Sequence, residues 1–245
     1  MLEHTDLSGK RILLTGGTTG IGRATLELLA SEGARILTFG RDEEALADTL
    51  TGTSGGAAVV GITADAATVE GIEHVFQAVD AKLGGIDILI ACAALGADPI
   101  DQMAEGDWRY VVETNLVGYL ACAKAAIERM EAQGGGHLLF VGSISTEIKA
   151  VGESVYSATK AGIQAFAETL RKEVADRNIR VSVVQPGSVD TDMQECSAEE
   201  KRAARSRHEM LQAEEVAEAI RFILTRSPAC DIVNLRIEPR LQKTS

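Results

Sequence analysis

At 245 residues and 45% apolar composition, the chain is long enough for one well-buried core, and nothing in it asks for a second domain. A formal charge of −12, from 24 Lys and Arg against 36 Asp and Glu, repels phosphate backbones and anionic lipid, which argues against nucleic acid and membrane partners. No apolar run approaches the roughly 20 residues that span a bilayer, and Met1 to Leu7 lacks the basic-then-apolar order of a signal peptide, so a soluble, cytoplasmic protein is expected.

Lys10 to Thr15 reads as a short buried strand, and Ile21 to Glu32 as a helix with Ile21, Ala24, Leu28 and Leu29 at helical spacing and Gly33 as its stop. Between them, Thr15-Gly16-Gly17-Thr18-Thr19-Gly20-Ile21-Gly22 is a glycine-rich turn opening onto a helix N-terminus. Small residues let backbone approach a pyrophosphate there, and the helix dipole favours the anion, so this is a candidate dinucleotide cradle. Arg35 to Phe39 is the second strand, and the residues just after it should meet the adenosine ribose. Gly40 stands where an NAD-binding chain usually carries a carboxylate, whereas the Arg41 guanidinium suits a 2′-phosphate and points to NADP(H). The alternative is a surface Arg41 paired with Asp42 or Glu43, and Asp42 remains a second candidate for the ribose.

A Gly/Ser/Thr-rich stretch, Thr51 to Gly56, is too short for a domain linker and leads to a third strand over Ala57 to Ile62, with Asp65 and Ala66 beyond it. Val69, Ile72, Val75, Val79 and Leu83 mark a helix that Gly84-Gly85 stops. Ile86 to Ala91 is a fourth strand, ending in Ala91-Cys92-Ala93-Ala94, where small-residue packing accounts for Cys92 better than a reactive thiol does. The four Cys and four His show neither Cys-x-x-Cys nor metal-ligand spacing, so free thiols and no metal are expected.

Ala104 to Met130 reads as one long helix or two joined ones, with Asn115 at an interior position that helix propensity does not favour. His137 to Val141 is the fifth strand, Tyr156 to Arg177 a helix, and Arg180 to Gln185 a sixth strand that ends in Pro186-Gly187-Ser188-Val189-Asp190-Thr191. Asp192 to Leu211 comes next, carrying Lys201, Arg202, Arg205 and Arg207. These suit an anionic substrate, but the interleaved Glu195, Glu199, Glu200 and Glu209 better fit a solvated helix face, so the substrate's charge stays open. Gln212 to Leu224 is an amphipathic helix, and Asp231 to Ile237 a final strand.

Tyr156 and Lys160 are four apart, on one face of their helix. A free Tyr, with a pKa of about 10, is a poor acid or base at neutral pH, and a nearby ammonium lowers that value toward the useful range. Ser143, at the end of the preceding strand, brings a hydroxyl to the same place.

Ser143, Tyr156 and Lys160 with Ala161-Gly162, the Thr-Gly-x-x-x-Gly-x-Gly turn and Thr114-Asn115-Leu116-Val117-Gly118 together resemble the signatures of the classical short-chain dehydrogenase/reductase family, across Ser8 to Gln242. The resemblance implies a single domain over residues 1–245, an α/β Rossmann-type doubly wound parallel sheet of about seven strands with helices on both faces. It implies an NADP(H)-dependent oxidoreductase moving hydride between nicotinamide and a small carbonyl or alcohol. Tyr156 would be the general acid/base, Ser143 would bond the same oxygen, and Lys160 would bind the nicotinamide ribose and lower the pKa of Tyr156. Asn115 would hold a water linked to Lys160, a core-satisfied amide being the alternative. Gly16, Thr18, Thr19, Gly20, Ile21 and Gly22 would cradle the pyrophosphate, Asp65 and Ala66 the adenine, and Pro186, Gly187, Val189 and Thr191 the nicotinamide carboxamide. Residues 192–211 fill the place of a mobile substrate lid.

Two departures qualify the resemblance. Ala91-Cys92-Ala93-Ala94 stands for Asn-Asn-Ala-Gly: Ala93 keeps the close cofactor approach, but the lost Asn side chains remove hydrogen bonds and put the loop's conformation in question. Glu238-Pro239-Arg240 stands for the Asp-Gly-Gly ending of 3-oxoacyl carrier-protein reductases, which together with the acidic charge favours a small free substrate. Such a reductase is one alternative; an NADP(H)-sensing binding protein without chemistry is another, although such relatives typically lose the Tyr or the Lys. Leu95, Ser145, Glu147, Val151 and Met193 line the expected pocket mouth without specifying a substrate. Relatives are commonly homo-oligomers, tetramers or dimers.

Overall fold

Apolar runs too short for helices form strands buried on both faces, which is the pattern of a parallel sheet covered by helices. The structure, a computed structural model, describes residues 4–52, 59–194 and 196–242. Its strands are β1 (Arg11–Thr15), β2 (Arg35–Gly40), β3 (Val59–Thr63), β4 (Ile88–Ala91), β5 (Gly136–Val141), β6 (Ile179–Pro186) and β7 (Asn234–Ile237). They form one seven-stranded sheet in the order β3-β2-β1-β4-β5-β6-β7, with every neighbouring pair parallel. The order reverses between β1 and β4, and a crevice opens at the carboxyl ends of the strands where it does so.

The helices are α1 (Gly20–Ser31), α2 (Glu43–Gly52), α3 (Val69–Ala78), α4 (Glu105–Val112), α5 (Gly118–Gln133), α6 (Ser154–Val174), α7 (Ala198–Ser206) and α8 (Ala213–Leu224). Two apolar cores sit on opposite faces of the sheet. Phe76, Ala123, Met130, Ile163 and Leu170 from α3, α5 and α6 pack against Leu13, Leu89, Phe140 and Val181 on one face. Leu26 and Leu29 of α1 with Val216, Ile220 and Ile223 of α8 pack against Ile12, Ile36, Ile90 and Val184 on the other. Successive strand residues point to opposite faces, so β1 to β6 each supply both cores, while β7 gives Leu235 and Ile237 to the second alone.

Several expected boundaries move, each for a local reason. The Ala57–Ala58 start of the third strand and most of the preceding Gly/Ser/Thr-rich stretch lie outside the described residues. The helix after it turns π-helical over Val79–Leu83 and ends at Gly84, whose φ is +74°. The expected long helix is two, joined by a π-helical turn at Glu113–Val117 that contains Asn115. The last strand is shorter than expected, Asn234–Ile237, because β7 is an edge strand with β6 as its single neighbour.

The first turn is fixed by contact between backbones. Gly16 has φ +70°, and a Cβ on Gly22 would lie 2.0 Å from the Gly16 carbonyl oxygen, with no flexible side chain able to give way. Gly22→Ala is therefore expected to lower the thermal unfolding midpoint and abolish dinucleotide binding, measured by melting and titration; an unchanged midpoint with normal binding would show that the turn can open.

Candidate active site

The glycine turn meets the ends of β4 and β6. A Cβ on Gly16 would fall 2.6 Å from Cα of Ala93, and one on Gly20, at φ +50°, would fall 3.0 Å from Cγ2 of Thr191. Neither glycine has room for a Cβ here. The helix behind the turn is left open to an anion: α1 has no acidic residue in its first turn and Thr19 at its N-cap makes no side-chain cap bond. By contrast, Thr68 caps α3 and a Ser197–Glu200 capping box closes α7. A helix N-terminus without a side-chain cap, beside closely packed glycines, fits the pyrophosphate of a dinucleotide. Gly40 packs against Thr18, its position for a Cβ being 3.2 Å from the Thr18 methyl, so a carboxylate there would crowd the turn.

The departure in the β4 loop is compensated from both sides. The Thr15 hydroxyl accepts from the amides of Cys92 and Ala93 at 3.0 and 2.9 Å. Asn115, fully buried in the π-helical turn, accepts from the Leu95 amide at 2.8 Å and donates to the Leu95 carbonyl at 2.7 Å. One residue of the loop thus engages both the oxygen and the nitrogen of its side-chain amide, as the core-satisfied alternative expects. Burial pushes the Cys92 thiol up to about 11, away from the thiolate form that a nucleophile needs.

At the reaction end, Lys160 is 1% exposed and donates to the Val141 carbonyl at 2.8 Å and to the Tyr119 hydroxyl at 3.4 Å. Its Nζ lies 5.1 Å from the ring centroid of Tyr119 and 5.7 Å from that of Tyr156. Burial pulls the Lys160 ammonium down to about 8. The expected lowering of Tyr156 is reversed: burial pushes it up to about 12, although its hydrogen bond with Ser143 works the other way. Desolvation of the phenolate is the largest cause, and the Lys160 ammonium is directed at the Val141 carbonyl. Tyr156 therefore holds its proton at neutral pH.

The family model described as short chain dehydrogenase matches residues 10–202. The chain is 32% identical over 232 residues to the 3-oxoacyl-[acyl-carrier-protein] reductase FabG of Escherichia coli (strain K12), covering 91% of this chain and 93% of that protein. It is 37% identical over 186 residues to carbonyl reductase family member 4 of Danio rerio, covering 76% and 78%. Among solved structures, L-sorbose reductase from Gluconobacter frateurii, complexed with NADPH and L-sorbose, superposes with a TM-score of 0.87 at 27% identity, over 98% of this chain and all of that one. A short chain dehydrogenase from Burkholderia cenocepacia J2315 in complex with NADP gives 0.85 at 28%, over 96% and 98%.

This chain belongs to the short-chain dehydrogenase/reductase family. It is an oxidoreductase that interconverts a carbonyl and an alcohol using a nicotinamide dinucleotide.

Three features of this dehydrogenase/reductase were not legible in its motifs. Ser143 contacts Ser145 at 3.1 Å, and Ser145 donates to the Glu153 carboxylate at 2.9 Å. Because a carboxylate only accepts, the Ser145 hydrogen is committed to Glu153 and Ser143 is the donor in their contact. Tyr119 stacks on Phe140, with centroids 6.2 Å apart, and walls the Lys160 side chain. Tyr110 of α4 stands between Arg41 and Asp65. The partners of Tyr110 and Tyr119 are distant in sequence, and nothing in the local pattern marks the Ser145–Glu153 bond.

The segment 192–211 packs down through its basic residues. Lys201 donates to the Thr191 carbonyl at 2.8 Å, Arg205 pairs with Asp190 at 3.2 Å and Arg207 with Glu209 at 2.8 Å. Lys201 and Arg205 are thus turned to the loop after β6, and Arg207 is spent on a carboxylate of its own segment. Glu195 lies outside the described residues. Among the described residues no helix is long and apolar enough to cross a membrane, and no group of three His, Cys, Asp or Glu is placed to hold a metal.

Lys160 gives a pH signature. An unfolded Lys keeps its proton to about pH 10.4, whereas the native one loses it near 8, so from pH 8 to 10 the unfolded state binds more protons and native stability rises. Relative to Lys160→Met, the parent should gain stability as pH is raised from 7 to 10, measured by denaturant midpoints; a constant difference would mean that the ammonium is not desolvated.

Proposed function

We propose that the protein is an NADP(H)-dependent reductase of small, uncharged carbonyl compounds, with Tyr156 as proton donor. The observation that carries this reading is the meeting of Tyr156, Ser143 and a buried Lys160 with the glycine-rich turn at one edge of one sheet. Gly16, Thr18, Thr19, Gly20, Ile21 and Gly22 hold the pyrophosphate, Ala66 and Asp65 the adenine, and Arg41 the 2′-phosphate. Ala93 keeps the floor low, and Pro186, Gly187, Val189 and Thr191 hold the nicotinamide carboxamide. When bound, the dinucleotide supplies the hydride. Tyr156 gives its proton to the carbonyl oxygen, Ser143 turns its hydroxyl from Ser145 to donate to that oxygen, Lys160 holds the nicotinamide ribose, and Asn115 fixes the loop that closes the pocket. Two NADP(H)-bound structural neighbours and the guanidinium at the ribose end support NADP(H) over NAD(H).

The Glu153 carboxylate, two hydroxyls from the reacting oxygen, opposes an anionic substrate such as a keto acid, and the lid offers little cation to offset it. Exposed Val151, Ile100 and Met193 at the mouth accept apolar parts of a substrate. The FabG relatives favour a second reading, reduction of a 3-oxoacyl group on a carrier protein. The −12 charge opposes docking of an acidic carrier. By the habit of relatives, the enzyme works as a dimer or tetramer in the cytoplasm, which chromatography of the purified protein and cell fractionation test.

The test is nicotinamide absorbance with NADPH or NADH against neutral ketones, aldehydes, keto acids and a 3-oxoacyl carrier thioester. NADPH-preferring consumption with neutral carbonyls is expected, and Tyr156→Phe should lower kcat by roughly a hundredfold or more with NADPH affinity within a few-fold. Because the donor must be protonated, reduction should hold its rate from neutral pH downward, whereas the reverse oxidation, which needs the phenolate, should speed up as pH rises. Binding of NADPH without turnover of any class would favour a sensor, and turnover of the carrier thioester alone would favour the second reading.

A further inference from the structure

Arg41, Asp65 and Tyr110 come from three elements, the ends of β2 and β3 and the last turn of α4, and meet at the adenosine end of the cradle. Arg41 donates from Nη1 to the Tyr110 hydroxyl at 2.7 Å, and its Cζ lies 5.1 Å from the centroid of the Tyr110 ring. The same hydroxyl donates to Asp65 Oδ2 at 2.7 Å, while Asp65 Oδ1 accepts from the Ala67 amide at 2.9 Å. One neutral hydroxyl therefore separates a guanidinium from a carboxylate. The direction of both bonds is forced, because the guanidinium only donates and the ionised carboxylate only accepts.

Removing that hydroxyl would leave opposite charges facing each other with nothing between them. Guanidinium and carboxylate in that position close readily into a two-point pair. Such a pair would neutralise Arg41 and occupy the edge of the fork that a phosphate needs. With the hydroxyl in place, Nη1 alone is engaged, and among the described residues no carboxylate pairs with Arg41. Even the adjacent Asp42 is directed elsewhere, its Oδ1 accepting from the amides of Glu44 and Ala45.

We infer that Tyr110 is a positioning residue for cofactor choice: it keeps Arg41 from collapsing onto Asp65 and so keeps the guanidinium available to the adenosine 2′-phosphate. The inference rests on the reading of Arg41 as the group that binds that phosphate. Discrimination between NADPH and NADH then depends on a residue far along the chain from the ribose-binding loop. The ring contributes as well, since it lies against the guanidinium and limits its rotation.

The test is the affinity of the purified enzyme for NADPH and for NADH, by titration without substrate, in the parent, Tyr110→Phe, Arg41→Ala and the double variant Tyr110→Phe with Asp65→Asn. Tyr110→Phe keeps the ring and removes only the hydroxyl. It should weaken NADPH about tenfold or more, the scale of lost charge-assisted bonds, and leave NADH within about threefold. Adding Asp65→Asn removes the carboxylate that captures Arg41, so the ratio of NADPH to NADH affinity should return toward the parent even if both cofactors lose an adenine contact. A merely structural Tyr110 would show no such rescue. An unchanged ratio in Tyr110→Phe, or a ratio that the second substitution does not restore, overturns the inference. Arg41→Ala separates the two levels: an unchanged ratio there removes Arg41 as the phosphate reader, whereas a collapsed ratio there with an unaltered one in Tyr110→Phe removes Tyr110 alone.

Discussion

The desolvated ammonium of Lys160 is the constraint on which the reaction end of the molecule depends. It is held almost without solvent against the Val141 carbonyl, where β5 ends, and between the rings of Tyr119 and Tyr156. Burying a charge is costly unless it is bonded, so the site must supply a carbonyl with a free lone pair and close walls. The end of β5 gives the carbonyl, the start of α5 gives Tyr119, and α6 carries Lys160 one turn after Tyr156. The same loss of water acts on both partners in opposite senses, pulling the ammonium down and pushing the phenol up. In the cofactor-free protein the phenol is thereby kept protonated.

The two ends of the crevice use different physics. On the side of the glycine turn, contacts are as short as the chain allows, with Gly16 against the Ala93 backbone and Gly20 against the Thr191 side chain, and position is set by hard-sphere limits. At the adenosine end the groups are more exposed and position is set by hydrogen-bond polarity, Arg41 to Tyr110 to Asp65. Between them, the loop after β4 lacks the side-chain amides common in relatives and is held instead by Thr15 from one side and Asn115 from the other. The basic residues of segment 192–211 that bond to Thr191 and Asp190 tie that segment to the nicotinamide-side loop, which couples its position to the cofactor pocket.

Much of this could be read from the sequence. Strands β1, β2, β5 and β6 were legible because a strand buried on both faces is an unbroken apolar run, and Tyr156 with Lys160 because a helix fixes the residue four positions on. The edge strand β7 was overextended because half-buried residues give a weaker pattern. The π-helical turn at Glu113–Val117 left no periodic mark, although the unfavourable Asn115 flagged its place. Tyr110, Tyr119 and the Ser145–Glu153 pair were missed as functional contacts because their partners arrive from other elements. The Tyr156 shift runs opposite to the sequence expectation for a similar reason: the sequence displays a neighbouring ammonium but not the burial that raises the phenol.

The most direct test of this account is spectrophotometric titration of tyrosine ionisation in the cofactor-free enzyme, alongside Tyr156→Phe. Tyr110, Tyr119 and Tyr156, the three tyrosines of the chain, are all raised above their ordinary value, mainly by burial. The account predicts no phenolate signal below about pH 10, the ordinary value for tyrosine, in either protein. A single tyrosine ionising near neutral pH in the parent and absent from Tyr156→Phe would contradict it, and would mean that the Lys160 charge, not desolvation, governs the proton donor.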